Sequence, residues 1–485
     1  MIVFAQLVFG FTFGPNQFSP SDTKVGELEN QGEMMENEKT LVEEMAALDP
    51  ATELVEYMEP VLPPPPSFRS VLLEFLKTLT SSTSELHRLN CPAVLLSGVS
   101  LLEYVQHWGD HPELLSAISA SEDPQERIKA LVRWTISTLW GSFASRTPKE
   151  GGFERKPYNP ILGERFYGWW PDHGQEMEVE QVCHHPPISA FYLVNKNAGV
   201  HVNGHSGQAT NFTGTAIRYR QPGRVFVYVE KYKEEYSISM PELHIRGLLN
   251  GKPFVEITGT IDVFCTNDWA ARLRFIPKPW FSGSYDSMEG VIFNNLSGSA
   301  IYDIWGNWKK TIYCAPHEPG RTFDDLDSLP ESPDSSMVFY AVDASPAIKP
   351  MARPLHKQDD LESQKIWLLV TQALQTKEYK KAGDMKNAIE EVERSERKKR
   401  AERNITWEPK LFRFEPFCFM PNADPDNHSH SPNLSIISED NSPAAPREEN
   451  HDSSSDEEGK PEKKEEFSGR YINRKFYDRF VNLDE

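Results

Sequence analysis

Residues 180–191 read EQVCHHPPISAF. Two adjacent histidines, His184 and His185, run directly into Pro186 and Pro187. That order suits neither a helix nor an ordinary central strand, because proline removes a backbone donor and biases the residue before it toward extended conformations. On an extended segment neighbouring side chains point to opposite faces, so the two imidazoles do not converge on one metal ion. No H-x-x-x-H or nearby carboxylate pattern supports such a site either. A nucleophilic or acid–base role needs a positioned partner that the sequence does not identify. Anion recognition remains. Two imidazoles can donate charge-assisted hydrogen bonds to a phosphate, whose charge raises their pKa values and favours the cationic form.

The chain around this stretch has 485 residues and a formal net charge of -21. An extended phosphate-neutralising surface for nucleic acid is therefore not expected, and any bound anion must meet a local basic site. The 5 cysteines (Cys91, Cys183, Cys265, Cys314, Cys418) lie far apart with no C-x-x-C pair. That argues against a zinc site and a disulfide framework and fits a reducing cytosol. The opening MIVFAQLVFGFTFG is apolar, but it lacks a basic flank and is too short to span a bilayer, so neither a signal peptide nor a transmembrane helix is expected.

Downstream of the histidines, RVFVYVEKY (224–232), ELHIRGLLNGKPFVEITGTI (242–261) and AIYDIWGNWKKTIY (300–313) are rich in β-branched and aromatic residues. Asn250-Gly251 and Gly306-Asn307 are read as hairpin turns. The spacing predicts a long antiparallel meander from about 160 to 315, which must close or be covered to protect its edges. Closed, it is wide enough to surround a ligand-sized cavity. Helical patterning precedes it at 124–146, with Ile128, Leu131, Val132 and Thr135 on one stripe, and returns at 360–403. In DMKNAIEEVERSERKKRAERN the apolar stripe is narrow (Met385, Ala388, Ile389, Val392), with Lys386, Glu390 and Arg394 in line beside it. Taken alone, that is an ordinary solvated helix face with two salt bridges.

Residues 15–62 and 423–468 are acidic and polar with little to bury, and the first stretch ends at Pro63–Pro66, a stiff spacer. After the prolines, Phe68, Val71, Leu72, Phe75, Leu76 and Leu79 form one apolar helix face. It packs on a core, or it serves as a lid or interfacial helix.

EQVCHHPP resembles the E-Q-V-S-H-H-P-P signature of the oxysterol-binding-protein-related family, with Cys183 in place of serine. KPYNPILGE (156–164) is similar to that family's K-P-x-N-P-x-L-G-E, and Lys386, Glu390 and Arg394 match its helical K-x-x-x-E-x-x-x-R. The similarity covers roughly residues 68–420. With no pleckstrin-homology or ankyrin region ahead of it, the chain resembles the short fungal members. The resemblance implies a mainly β fold with flanking helices (α+β): a large, incomplete, mostly antiparallel barrel around an apolar tunnel, with an N-terminal lid and a C-terminal helical part. The expected organisation is a disordered extension (1–66), a lid (67–90), the lipid-binding barrel (91–422), an acidic tail (423–468) and an aromatic, charged C-terminal segment (469–485). That last segment either docks on the core or binds a partner.

By matching positions, the resemblance assigns Lys156, Asn159, His184, His185, Lys386, Glu390 and Arg394 to a phosphoinositide head-group site at the tunnel mouth. Glu390 looks out of place beside an anion unless it orients Lys386 and Arg394, each one turn away. In the short sterol-binding relatives a tryptophan, a glutamine-tyrosine pair, an asparagine and a second glutamine surround the sterol hydroxyl. Here Trp108 is kept, the pair aligns with Ser142 and Phe143, the asparagine with Ser206, and Gln221 matches the second glutamine across a one-residue gap. Sterol is the expected second ligand and phosphatidylserine the alternative, since another branch of the family carries it. The implied activity is non-enzymatic: extraction and exchange of sterol for phosphatidylinositol 4-phosphate between membranes, by a monomer without cofactor or metal. Such a protein is cytosolic and touches Golgi, endoplasmic reticulum or plasma membrane only transiently. A phosphoinositide sensor without net transport is the competing function. A phosphatase using the histidines lacks a visible nucleophile and base.

Overall fold

The computed structural model describes residues 52–62, 92–146, 155–212, 216–247, 254–278, 285–319, 334–416 and 469–481. The expected lid (67–90), with Phe68, Val71, Leu72, Phe75, Leu76 and Leu79, lies outside the described residues, as do the acidic tail and the turn at Asn250-Gly251.

Three short strands come first: β1 (Val55–Glu56), β2 (Leu96–Ser100) and β3 (Lys156–Tyr158). The wall then runs through β4 (Arg165–Trp170), β5 (Gln175–His184), β6 (Pro187–Asn195), β7 (Val200–Gly207), β8 (Ala209–Phe212) and β9 (Ile217–Arg220). It continues with β10 (Gly223–Val229), β11 (Glu234–Ser239), β12 (Glu242–Arg246), β13 (Phe254–Cys265) and β14 (Trp269–Ile276). The last strands of the wall are β15 (Ser287–Asn294), β16 (Ala300–Asn307), β17 (Thr311–Pro316), β18 (Val338–Ala341) and β19 (Met351–Ala352). β20 (Phe412–Pro416) and β21 (Gly469–Asn473) pair with each other.

The expected antiparallel meander is present as a 17-stranded sheet. Its ladders lead from β1 through β19, β4, β5, β6, β7, β10, β11 and β13 to β14–β18. None joins β18 to β1 among the described residues, so the barrel is incomplete. β8, β9 and β12 leave the wall as a side layer attached to the first half of β13. Gly259 sits where β13 changes partner, from Glu242↔Thr258 on β12 to Gly259↔Phe275 on β14, and its φ of 76° is a bend that glycine makes without strain.

The barrel is filled by a helix. After α1 (Pro112–Ala117), α2 (Pro124–Phe143) starts at Asp123, whose side chain accepts from the Gln125 amide, with Pro124 in the first turn. The stripe read from the sequence, Ile128, Leu131, Val132 and Thr135, is buried and continues through Leu139, and Trp134 and Ile136 to either side of it are buried too. A helix apolar most of the way round belongs inside a core. Arg127 ties its first turn to the wall through Glu234, with its guanidinium 3.8 Å from the Tyr232 ring centroid.

The 360–403 region is two helices, α3 (Ser363–Gln375) and α4 (Tyr379–Glu402), broken where Lys377 takes a φ of 64°. The apolar stripe expected on α4 is narrower than the sequence suggests. Ala388 and Val392 are exposed, and the covered face carries Ala382, Met385, Lys386, Ile389, Glu393, Arg397 and Arg400. Only one of the two expected ion pairs forms, because the buried Lys386 holds Glu390 while Arg394 turns to Glu391 at 3.2 Å. Gly306-Asn307 ends β16 and is not the centre of its hairpin. The turn falls at 308–310, closed by the Lys310 amide donating to the Asn307 carbonyl at 2.9 Å and by Asn307 Oδ1 accepting from the Lys309 amide.

β6 is buried on both faces. Phe191 and Leu193 point into the barrel, while Ala190, Tyr192 and Val194 join an outer cluster with Phe412, Ile472 and Phe476. The C-terminal segment therefore docks on the core: β21 and α5 (Arg474–Phe480) lie over the outside of β6, β7 and β10. Arg470 forms a buried ion pair with Glu235 at 2.9 Å, and the Asn473 amide donates to Asn203 Oδ1 at 3.0 Å.

Candidate head-group site and cavity

Lys156 and Asn159 are set by the KPYNPILGE segment. Tyr158 stacks on Trp367 of α3 at 4.5 Å and 17°. Glu164, fully buried, accepts from Ser363 Oγ at 2.7 Å, Trp367 Nε1 at 3.1 Å and the Ile161 amide at 3.1 Å, and also from Ser100 Oγ. Burial pushes its carboxyl upward, and these donors oppose the shift. The segment is thus pinned at its far end, and Lys156 is buried with Nζ donating to Asn159 Oδ1 at 2.7 Å and to the Pro157 carbonyl at 3.2 Å.

The second segment joins the first through the backbone. The Gly163 amide donates to Gln181 O and the Gln181 amide to Glu164 O, both at 2.9 Å. This places the end of β5, with His184 and His185, beside the first motif. The two rings meet edge to face at 4.7 Å. Burial first, then the charges of His185 and Arg397, hold His184 down at about 4. Burial and Arg397 also lower His185. Without an anion, both imidazoles are neutral at pH 7.

The third segment, α4, packs Met385 and Ile389 into the cluster that contains Tyr158 and Trp367. Lys386 and Glu390 face the protein body. Arg394 does not: its side chain is 54% exposed and bound to Glu391. Six of the seven head-group residues expected from the sequence therefore lie on the inward faces of converging segments, and Arg394 lies outside. Arg397 and Arg400, which no motif marked, are on the inward face. Helical spacing from Lys386 is the signal that finds them.

Adjacent to this cluster lies a cavity of about 960 Å³, counting the part open to solvent. Trp108, Ser142, Phe143, Ser206 and Gln221, all expected from the sequence, line it. Its middle is aromatic and aliphatic. Trp108 contacts Trp134 at 5.7 Å and Phe191 at 5.4 Å, and Phe191 lies flat across Gly204, where a Cβ would stand 2.1 Å from its ring. One end is polar. Ser189 and Ser206 are paired across β6 and β7, two residues along the ladder from the histidine hairpin. Ser189 Oγ donates to Gln181 Oε1 at 2.6 Å. Gln221 Nε2 is shut off from solvent with no acceptor among the described residues, an orphan that a bound hydroxyl can satisfy. Among the described residues no cluster of metal-ligating side chains occurs, and no helix is long and apolar enough to cross a membrane.

Residues 72–433 match the family model described as oxysterol-binding protein. The chain belongs to the oxysterol-binding protein family. It is 33% identical over 354 residues to protein kes1 of Schizosaccharomyces pombe, spanning 72% of this chain and 87% of that one. It is 34% identical over 337 residues to protein KES1 of Mycosarcoma maydis, spanning 68% and 84%. Among solved structures, the Osh1 ORD domain in complex with ergosterol aligns at TM-score 0.61 and 22% identity, covering 80% of this chain and 93% of that one. The Osh3 ORD in complex with PI(4)P from Saccharomyces cerevisiae aligns at TM-score 0.55 and 19% identity, covering 76% and 92%. These likenesses establish the oxysterol-binding-protein fold for the barrel.

Proposed function

We propose that this family member is a lipid-transfer protein that exchanges a sterol for phosphatidylinositol 4-phosphate between membranes. One observation supports the reading: Ser189 and Ser206 of a largely apolar cavity lie two residues along the ladder from the histidine hairpin, and Lys156 and Lys386 are carried by segments that pack into one cluster. A phosphomonoester needs several donors at close range, and Lys156, His184, His185 and Lys386 supply them. Asn159 and Glu390 take the inositol hydroxyls, and Glu390 also orients Lys386. The cavity holds the acyl chains or the sterol skeleton in turn, and Ser142, Ser206 and Gln221 read the sterol hydroxyl, directly or through water. Phe143 adds an apolar wall where relatives of the sterol-binding type present a hydroxyl. The same name family includes structures bearing ergosterol, cholesterol and PI(4)P, which agrees with one cavity serving two lipids. Residues 67–90 act as a lid that covers the bound lipid and touches the membrane when open. The protein works as a monomer in the cytosol, visiting Golgi or plasma membrane and endoplasmic reticulum.

Competition in one binding assay tests this. Protein loaded with a fluorescent sterol is challenged with vesicles containing phosphatidylinositol 4-phosphate, and separately phosphatidylserine. Displacement of sterol by the phosphoinositide is expected. Displacement of a phosphatidylserine probe, with no sterol uptake at all, transfers the assignment to the other lipid. Phosphoinositide uptake with no competing second lipid leaves a sensor.

A further inference from the structure

β5 alternates regularly until it nears the histidines. Glu178 binds Asn473 and Lys475 on the outer side, Val179 belongs to the barrel interior, and Glu180 accepts from the Lys410 and Leu411 amides outside, at 2.8 and 2.7 Å. Gln181 turns inward and is fully buried. Val182 and Cys183 then both pack into the outer cluster, two neighbours on one face. The strand pairing gives the cause. Gln181 faces Ser189 and Cys183 faces Ile188, so Val182 is an extra residue with no partner on β6, a β-bulge. A slip of one residue moves every later side chain to the other face. His184 therefore falls on the side of Gln181, where its ring donates to the Pro160 carbonyl of the KPYNPILGE segment. Regular alternation would send it outward with Glu178 and Glu180.

The Gln181 carboxamide spans this bulge. Its Nε2 donates to the Cys183 carbonyl at 2.8 Å, and its Oε1 accepts at 2.6 Å from the hydroxyl of Ser189, which lines the cavity. We propose that Gln181 is a positioning residue of the head-group site: its carboxamide staples the bulge that turns His184 toward the first motif, and Ser189 of the cavity wall fixes the carboxamide. This rests on the head-group reading above and adds to it a residue that touches no ligand. A carboxamide suits the role because it carries a donor and an acceptor at one planar end. A leucine side chain has neither, and a carboxylate has no donor until it is protonated. Burial penalises the charged form of a carboxyl at this position, so its pKa rises and protonation restores the donor.

Titration with a short-chain, water-soluble phosphatidylinositol 4-phosphate, without vesicles, reads the head-group site alone. Gln181→Leu should weaken binding roughly tenfold and Ser189→Ala about threefold, while sterol binding stays within about twofold of wild type. Gln181→Glu separates positioning from packing. Its deficit, taken against wild type at the same pH, should shrink at least about threefold between about pH 8 and pH 6, as the carboxyl gains the proton that it donates to Cys183. An equal deficit at both pH values overturns the proposal, as does Gln181→Leu within about twofold of wild type, or an equal loss of sterol and phosphoinositide binding. Where Gln181→Leu fails to fold, the pH profile of Gln181→Glu decides alone. If His184→Ala/His185→Ala abolishes binding while Gln181→Leu binds normally, the head-group reading survives and only this inference falls. A wild-type protein that does not bind the short-chain lipid removes both.

Discussion

In the proposed head-group site, His184 changes state when a phosphate arrives. Burial and neighbouring positive charge hold it at about 4, so it is neutral at pH 7, yet a phosphate at hydrogen-bond distance favours the imidazolium. Binding therefore takes up protons, and affinity should rise as pH falls from about 8 to about 6.5, above the range where the phosphate itself protonates. Calorimetry at pH 7 in two buffers of different ionisation heat should show net proton uptake by the protein, and none if the imidazoles stay neutral in the complex. The same shift bears on stability. A histidine whose folded pKa lies below its unfolded value of about 6.5 contributes fully above that value and loses its contribution as pH falls toward 4. Glu103 acts in the opposite sense: burial raises it to about 8, so its folded form holds a proton that the unfolded chain has lost, and stability from this group falls as pH rises from 4.5 to 8. The two overlap, so the test is a difference. The melting temperature of His184→Gln should fall less than that of wild type between pH 6.5 and 4. Parallel curves would show that His184 does not titrate in the unliganded protein as its burial requires. At this scale the histidines were readable because adjacent histidines before two prolines are unusual. Arg397 was not, because a motif that stops at Arg394 says nothing about which side of the helix is covered.

For elements, periodicity and turn chemistry carry most of the fold. The wall strands alternate or run apolar as an antiparallel sheet requires, and α2 is capped at Asp123-Pro124. ISAFYLV in β6 is apolar at nearly every position, which signals burial on both faces. What covers the outer face is not local information. The cover arrives from 411–416 and 469–481, joined by backbone pairing and by Phe476 against Tyr192, His201 and Tyr228. Phe476→Ala should cost about 3 kcal/mol, seen as a lower denaturant midpoint. An unchanged midpoint would mean that the segment does not dock in solution. The 67–90 segment makes an independent prediction. If 67–90 is the lid proposed above, Leu72→Asp with Phe75→Asp places charge on the apolar stripe read from the sequence, so the half-time for release of either bound lipid should shorten several-fold while the melting temperature holds. Equal release rates would remove the lid assignment.

The whole molecule combines two opposed tendencies. Its net charge is -21, and the proposed anion site draws its basic side chains, Lys156, His184, His185 and Lys386, from three separated segments of that acidic chain. The meander suggested a closed sheet, and the observed barrel departs from a simple meander where β8, β9 and β12 leave the wall so that β7 can pair with β10. That crossover depends on which strands meet after an excursion of many residues, and local pattern does not encode it. Its consequence is functional: β5, β6, β7 and β10 form one continuous surface that has the histidine hairpin at its edge and Ser189, Ser206 and the cavity just inside. Two lipids that compete for one cavity drive each other's release, which is the physical basis for exchange. The most direct measurement uses two vesicle populations, one carrying phosphatidylinositol 4-phosphate and the other a sterol, and follows both lipids at once after adding the protein. Each lipid should move to the opposite vesicles, and sterol transfer should accelerate several-fold when the phosphoinositide is present. Sterol transfer at the same rate with and without the phosphoinositide, or no sterol transfer at all, would contradict exchange.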